Sequence, residues 1–320
     1  MGNLPKERTS FSRPFLQVGV DFCGPFFTKE HRHSNRTKIK TYVCVFVCLA
    51  TRAVNLELAN DLSTEAFLAC LKRFFSRRCL SRSIHSDNGT NFVGANSTLK
   101  ELFKEIDSVT RNSNIQAYLS EKGISWHFIP PRAPHFGGLW EAAVKSFKSH
   151  FTRIAGNSLL TYEQLHTYVV EIEAILNSRP LTPLSSDPND LLPLTPGHFS
   201  IGNSLTSLPQ HDLRNILTNR HSCWELAQQM RQHFWSRWHK EYINELLSRS
   251  KWQSQTDQTN IKLGTMVMVK DDDLPPMKWK LARIIELHPG DDGIVRTVTI
   301  KSASGVYKRA LRNLYPLPID

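Results

Sequence analysis

Three acidic residues in the first half of this chain stand where a carboxylate is unusual. Asp21 interrupts the apolar run "FLQVGVDFCGPFF", Asp87 follows "RSIHS" at the turn in "IHSDNGT", and Glu141 opens the amphipathic stretch in "GGLWEAAVKSFK". Strand alternation puts Val18, Val20 and Phe22 on one face and Asp21 on the other, with Gly19 and Cys23. A carboxylate there is costly to bury unless it is paired or coordinates a metal. Asp-Asn-Gly is good turn chemistry in its own right, so Asp87 taken alone reads as a turn former before it reads as a ligand. Asp87 lies 66 positions after Asp21, and Glu141 54 after Asp87. Folding must close those gaps, and three carboxylates held together repel one another and favour divalent cations. An all-oxygen set without thiolate or imidazole suits Mg²⁺ or Mn²⁺. Two such ions can clamp the attacking and leaving oxygens of an in-line phosphoryl displacement.

The elements that must position these acids follow from hydrophobic period and turn signals. Residues 15–27 read as a strand closed by Gly24-Pro25, "TYVCVFVCLA" at 41–50 as a buried strand, and "AVNLELA" as a third. Their short connections make them an antiparallel meander. Ser63 caps a helix through "STEAFLACLKRFFSRR", with Phe67, Cys70, Leu71 and Phe74 on one stripe. "RSIHS" is the fourth strand, residues 95–122 carry helical patterns, and "ISWHFIP" is the fifth strand. Beyond the segment "PPRAPHFGG", a long helix starts near Leu139 and another at Thr161. Residues 212–250 read as a helical region with Trp224, Trp235 and Trp238 on a packing face. Short strands over 262–315 read as a small β-barrel.

The motifs "GVDFCGPF", "IHSDNGTNF" and "PHFGGLWEAAVKSFK", in this order of elements, resemble the catalytic core of retroviral and retrotransposon integrases, the DDE group. The opening "MGNLPKERTSFSRPF", the stretch "EAILNSRPLTPLSSDPNDLLPLTPGHF" and "WKLARIIELHPGDDGIVRTV" give the resemblance a BEL/Pao long-terminal-repeat flavour across nearly the whole chain. It implies an α/β fold: an RNase H-like mixed five-stranded sheet flanked by helices over 1–205, a helical linker over 206–258 and a small SH3-like β-barrel over 259–320. It implies that Asp21, Asp87 and Glu141 are the catalytic, metal-binding triad, holding two Mg²⁺ or Mn²⁺ ions for 3′-end processing and strand transfer of element DNA into target DNA.

Lys145 and Lys148 share a helical stripe with Glu141 and are expected to meet DNA phosphate, with His135, Gly138 and Asn91 as further DNA contacts. Ser86 is a further candidate for touching substrate. The C-terminal domain, with Lys278, Lys280, Arg283, Lys308, Arg309 and Arg312, is expected to bind DNA or a chromatin partner. A homo-oligomer is expected, acting in the nucleus after passage through the cytoplasm. Integrases carry a His/His/Cys/Cys zinc domain ahead of the core, and this sequence shows no such pattern. It therefore reads as a polyprotein fragment or as a copy without that part. Two alternatives use the same acids or charges: an RNase H-like nuclease, and a non-catalytic DNA- or chromatin-binding protein of transposon origin.

Composition agrees with a polyanionic partner. Lys and Arg outnumber Asp and Glu by 40 to 29, a formal charge of +11, and such an excess attracts nucleic acid or an anionic surface. At 40% hydrophobic residues over 320 positions, the chain can bury a sizeable core and has the length of about two domains. No apolar run approaches the ~20 residues of a membrane span, so no membrane partner is expected. The six cysteines form no metal or disulfide framework and read as reduced core thiols.

Overall fold

A computed structural model of the chain describes residues 12–30, 38–109, 123–129, 138–155, 159–185, 187–216, 223–250, 262–271 and 274–317. It divides into two compact units, Met1–Glu173 and Ala174–Asp320.

The first unit is built on β1 (Gln17–Lys29), β2 (Lys38–Cys48), β3 (Val54–Ala59), β4 (Ser83–Ser86) and β5 (Ser125–Phe128), in the spatial order β3-β2-β1-β4-β5. The β1-β2-β3 meander is antiparallel, whereas β4 lies parallel to β1 and β5 parallel to β4. This is the mixed five-stranded sheet of an RNase H-like core. A two-residue strand, β6 (Leu160–Thr161), adds to it by pairing with the far end of β1.

Gly24-Pro25 does not close the first strand as the sequence suggested. The strand runs on to Lys29, and its register shifts between Cys23 and Phe26. One extra residue in β1 absorbs the proline, whose missing N–H would otherwise break the ladder. It also exchanges the faces: Val18 and Val20 enter one core, while Phe26 crosses to the side of Asp21 and Cys23 and meets Phe151, ring centroids 4.4 Å apart.

Helix α1 (Thr64–Arg78) starts where the Ser63 hydroxyl accepts the Ala66 N–H at 3.1 Å. It buries Phe67, Cys70, Leu71 and Phe74 against Val18, Val20, Phe46 and Ile84 of the sheet. Phe46 and Phe74 stack at 4.3 Å, and Phe92 of α2 (Thr90–Val109) meets Phe67 edge-on at 4.9 Å. The expected helical pattern beyond Val109 lies outside the described residues. The opposite face carries α3 (Gly138–Ala155) and α4 (Tyr162–Asn177), joined by Phe151 and Tyr168 at 5.2 Å.

Two charged groups tie down β3, the strand at one end of the order. Glu57, 1% exposed, takes Arg73 Nε at 2.8 Å on Oε2 and the Arg77 guanidinium on Oε1. Glu173 Oε2 accepts the Leu56 N–H at 2.8 Å, and its Oε1 pairs with Arg78 at 3.1 Å.

The second unit holds the hairpin β7 (Thr182–Pro183) and β8 (Pro193–Leu194), the one-turn α5 (His198–Ile201) and the long α6 (Cys223–Ser250). It ends in a five-stranded antiparallel sheet. The strands are β9 (Met266–Val269), β10 (Leu281–Pro289), β11 (Val295–Ser302), β12 (Gly305–Ala310) and β13 (Leu314–Pro316), in the order β12-β11-β10-β9-β13. Val267, Ala282, Ile284, Val298 and Ile300 form its core. Trp235, Trp238, His239 and Tyr242 of α6 surround Trp279, with ring centroids 4.9 to 6.0 Å away. Arg283, expected among the exposed basic residues, is 8% exposed. Its guanidinium donates to the carbonyls of Gly264, Ser185, Asp187 and Asp190 at 3.0–3.2 Å, so its donors hold the hairpin loop in place. Among the described residues no helix is long and apolar enough to cross a membrane.

Candidate active site

The site begins with the parallel pairing of β1 and β4. Gln17, Val18 and Gly19 align with Ser83, Ile84 and His85. The offset is the same 66 positions that separate Asp21 from Asp87, so both acids lie two residues beyond the last aligned pair. In parallel strands, residues in register share a face, and this one is opposite the core of Val18 and Val20.

Local hydrogen bonds orient each carboxylate. Asp21 Oδ1 accepts the Phe22 N–H at 2.7 Å, and Asp87 Oδ1 accepts the Gly89 N–H at 2.9 Å in an Asx turn. Asp21 is half-buried and Asp87 exposed. A Cβ on Gly89 would lie 2.6 Å from Asn91 Oδ1 and 3.1 Å from Asp87 Oδ1, so any larger residue there would displace the Asn91 side chain and crowd the acid. Asp87 therefore both makes the turn and presents its acid at the end of the strand.

The surroundings of the turn draw on residues remote in sequence. Asn88 Nδ2 donates to Ile129 O at 2.7 Å, tying the turn to the end of β5. Trp126 Nε1 donates to Ser86 Oγ at 2.9 Å, and that hydroxyl donates to Asp87 O at 2.8 Å. Ser86 is fully buried and Asn91 is 8% exposed, so both sit behind the turn. His85 and His127 stack at 4.7 Å two residues before Asp87. No sequence signal marks Asn88 or Trp126 for this role, because their partners lie about 40 residues away.

Helix α3 lies over the same face. The Cys23 thiol is pushed far above its ordinary range, first by burial and then by the Asp21 charge, with Lys148 pulling the other way. Asp21, Cys23 and Lys148 thus share one electrostatic neighbourhood. Lys145 and Lys148 are exposed on α3, while Val144, Phe147 and Phe151 are buried beneath. Gly138 is the first residue of α3. Glu141 lies in its first turn, but its side chain and all of His135 lie outside the described residues.

The two described acids suit a hard divalent cation: all-oxygen donors at the end of a parallel strand pair, one of them solvent-facing. Among the described residues no group of three or more His, Cys, Asp or Glu side chains gathers to hold a metal ion, so any third donor must come from elsewhere.

Residues 14–134 match the integrase core domain, and residues 222–317 match a family of unknown function, DUF5641. The match to the integrase core domain falls within the first unit. No curated protein matches the chain. Among solved structures, the simian T-cell lymphotropic virus intasome in complex with PP2A regulatory subunit B56 gamma is similar over 100% of this chain and 84% of that one. The identity is 11% and the TM-score 0.37, too distant to bear on function.

Proposed function

From an integrase core domain with two acids in parallel register, we propose that the protein is a polynucleotidyl transferase that joins element DNA to target DNA. The observation that carries this reading is the shared 66-residue offset of the β1–β4 ladder and of Asp21 and Asp87. Asp21 and Asp87, with Glu141 from α3, would hold two Mg²⁺ or Mn²⁺ ions. When bound, such ions neutralise the attacked phosphate and lower the cost of charge on the attacking and leaving oxygens.

The chain's own residues then position the substrate. The Phe22 and Gly89 amides fix the two aspartates so that little reorganisation is needed when DNA arrives. Lys145 and Lys148 sit exposed on the helix above and offer ammonium groups to a phosphate backbone passing the acids. His135 and Gly138 complete the proposed DNA contacts, whereas Asn91, expected among them, is buried behind the turn and would support it instead. In this reading the element is a BEL/Pao-type retrotransposon, the enzyme works as a homo-oligomer in the nucleus, and the C-terminal sheet meets DNA or chromatin.

A strand-transfer assay with a pre-cut DNA end tests the proposal. Joined product is expected with Mg²⁺ or Mn²⁺ and none with EDTA. Hydrolysis without joining would mark a nuclease instead. DNA binding without cleavage, unchanged in Asp87→Asn, would mark a non-catalytic DNA-binding protein.

A further inference from the structure

The second unit holds a cavity of about 310 Å³, near the lower end of the ~300–1,000 Å³ usual for small-ligand sites. Arg231 and Trp235, one turn apart on α6, line it, and segments 207–214 and 274–278 form its sides. Those sides are pinned in place. Trp235 Nε1 donates to Leu274 O at 2.9 Å, and Ser207 Oγ to Pro276 O at 3.3 Å. Gln232 accepts the Leu213 N–H at 2.8 Å and donates to His211 O at 2.7 Å. Gln229 donates to the carbonyls of Leu213 and Ile216 at 2.8 and 2.7 Å. Gln229, Arg231, Gln232 and Trp235 are all 3–5% exposed. Polar groups buried this deeply must be bonded, and here the bonding produces preformed walls that lose little entropy when a ligand enters.

The chemistry of the lining is one-sided. Pro209, Pro275 and Pro276 have no N–H to offer and, with Leu208 and Leu274, present apolar surface. The charged lining is Arg214, Arg231 and Lys278 against Asp212. The Arg214 fork grips Asp212, Nε to Oδ1 at 3.0 Å and Nη2 to Oδ2 at 2.7 Å, and lowers that carboxyl to about 2. Arg231 donates through Nη2 to Gln210 on the same wall; the formal charge of these four side chains is positive, and arginine and lysine donate hydrogen bonds without accepting any. Such a lining selects an acceptor-rich anion joined to a flat apolar body.

We propose that this cavity takes one unstacked nucleotide unit, its phosphate against Arg231 and Lys278 and its base against Trp235 and the prolines. A formal charge of +11 across the chain favours a nucleic-acid source over an acidic peptide. The inference stands apart from the aspartates, and it would hold for a chain with no transferase activity.

Ligand-observed saturation-transfer NMR on the full chain in EDTA tests it without reference to catalysis. Deoxythymidine monophosphate is expected to bind, with thymidine and inorganic phosphate each weaker by about ten-fold or more. Displacement by single-stranded oligothymidylate, and not by the matching duplex, identifies a DNA strand as the source; no displacement by either identifies a free nucleotide. Lys278→Glu, at an exposed position, should weaken the monophosphate about ten-fold while leaving the melting temperature in place. Leu208→Trp, on an exposed rim, should fill the cavity and weaken it likewise. Failure of the monophosphate to bind the intact chain overturns the proposal. So does equal binding of thymidine, unaltered affinity in Lys278→Glu, or preference for an acidic peptide.

Discussion

Asp21 on β1 and Asp87 just past β4 each stand two residues beyond Gly19 and His85, the last pair in register between these parallel strands. If the two acids hold a shared cation, as proposed, each loses a like-charged neighbour when the other is neutralised, and only the intact pair gains from the metal. Without metal, Asp21→Asn and Asp87→Asn should therefore melt at or above the temperature of the parent chain. With Mn²⁺ the order should reverse, because only the parent gains from binding. Strand transfer should fall by roughly 100-fold or more in either variant and in Glu141→Gln, the scale of removing one charge-stabilising group. Scanning calorimetry with and without Mn²⁺, beside the joining assay, checks both; full activity in any one variant would remove that acid from the site.

Glu57 is buried while its partners Arg73 and Arg77 keep 45% and 48% of their side chains exposed. Breaking a fully buried pair costs about 3–5 kcal/mol, but here the arginines can rehydrate. Glu57→Gln should accordingly destabilise the first unit by about 2 kcal/mol, measured by urea unfolding. A loss above the fully buried figure would mean that the arginines do not reach water.

Trp279 is the hub of the aromatic cluster on α6. Trp279→Ala should cost about 3 kcal/mol, the low end for a large aromatic because the residue is only half-buried, and Trp279→Phe noticeably less. Near-ultraviolet circular dichroism should lose intensity in the alanine variant before the far-ultraviolet signal changes. Simultaneous loss of both would show that the cluster holds up the whole unit.

Glu173 has its carboxyl pushed up by burial, against the Leu56 amide and the Arg78 and Arg77 charges. A raised acid holds its proton more tightly in the folded state than in the unfolded one. Its contribution to stability is therefore complete below the ordinary carboxyl range and is lost as pH rises through the folded value. Glu173→Gln cannot titrate. The free-energy difference between variant and parent should consequently move in the variant's favour as pH rises above the ordinary glutamate value of about 4.3. Denaturant titrations at several pH values measure this, and a slope of opposite sign would contradict it.

Much of the candidate site was legible in the sequence because strand period needs no tertiary information. Val18, Val20 and Phe22 alternate with Asp21 and Cys23, and that pattern alone separated the core from the acid-bearing face. The apolar length of β2 and the Ser63 cap of α1 were equally local. Gly24-Pro25 misled because a proline reads as a strand end unless a bulge absorbs it, and the bulge depends on the register of β2. Arg283 misled for a related reason. Its charge suggests exposure, yet three carbonyls of the 185–190 loop, almost a hundred residues away, satisfy it. The pinning glutamines Gln229 and Gln232 were invisible on the same grounds, since their partners are backbone groups of a distant segment.

The bond from the Leu56 amide to Glu173 has a consequence for solubility. A strand at the rim of a sheet offers outward amides on which another polypeptide can template itself. The α4 carboxylate occupies one of those sites midway along β3, where a growing aggregate would need to dock. A side chain that carries no chemistry thereby discourages copies of this basic chain from zipping together at their margins.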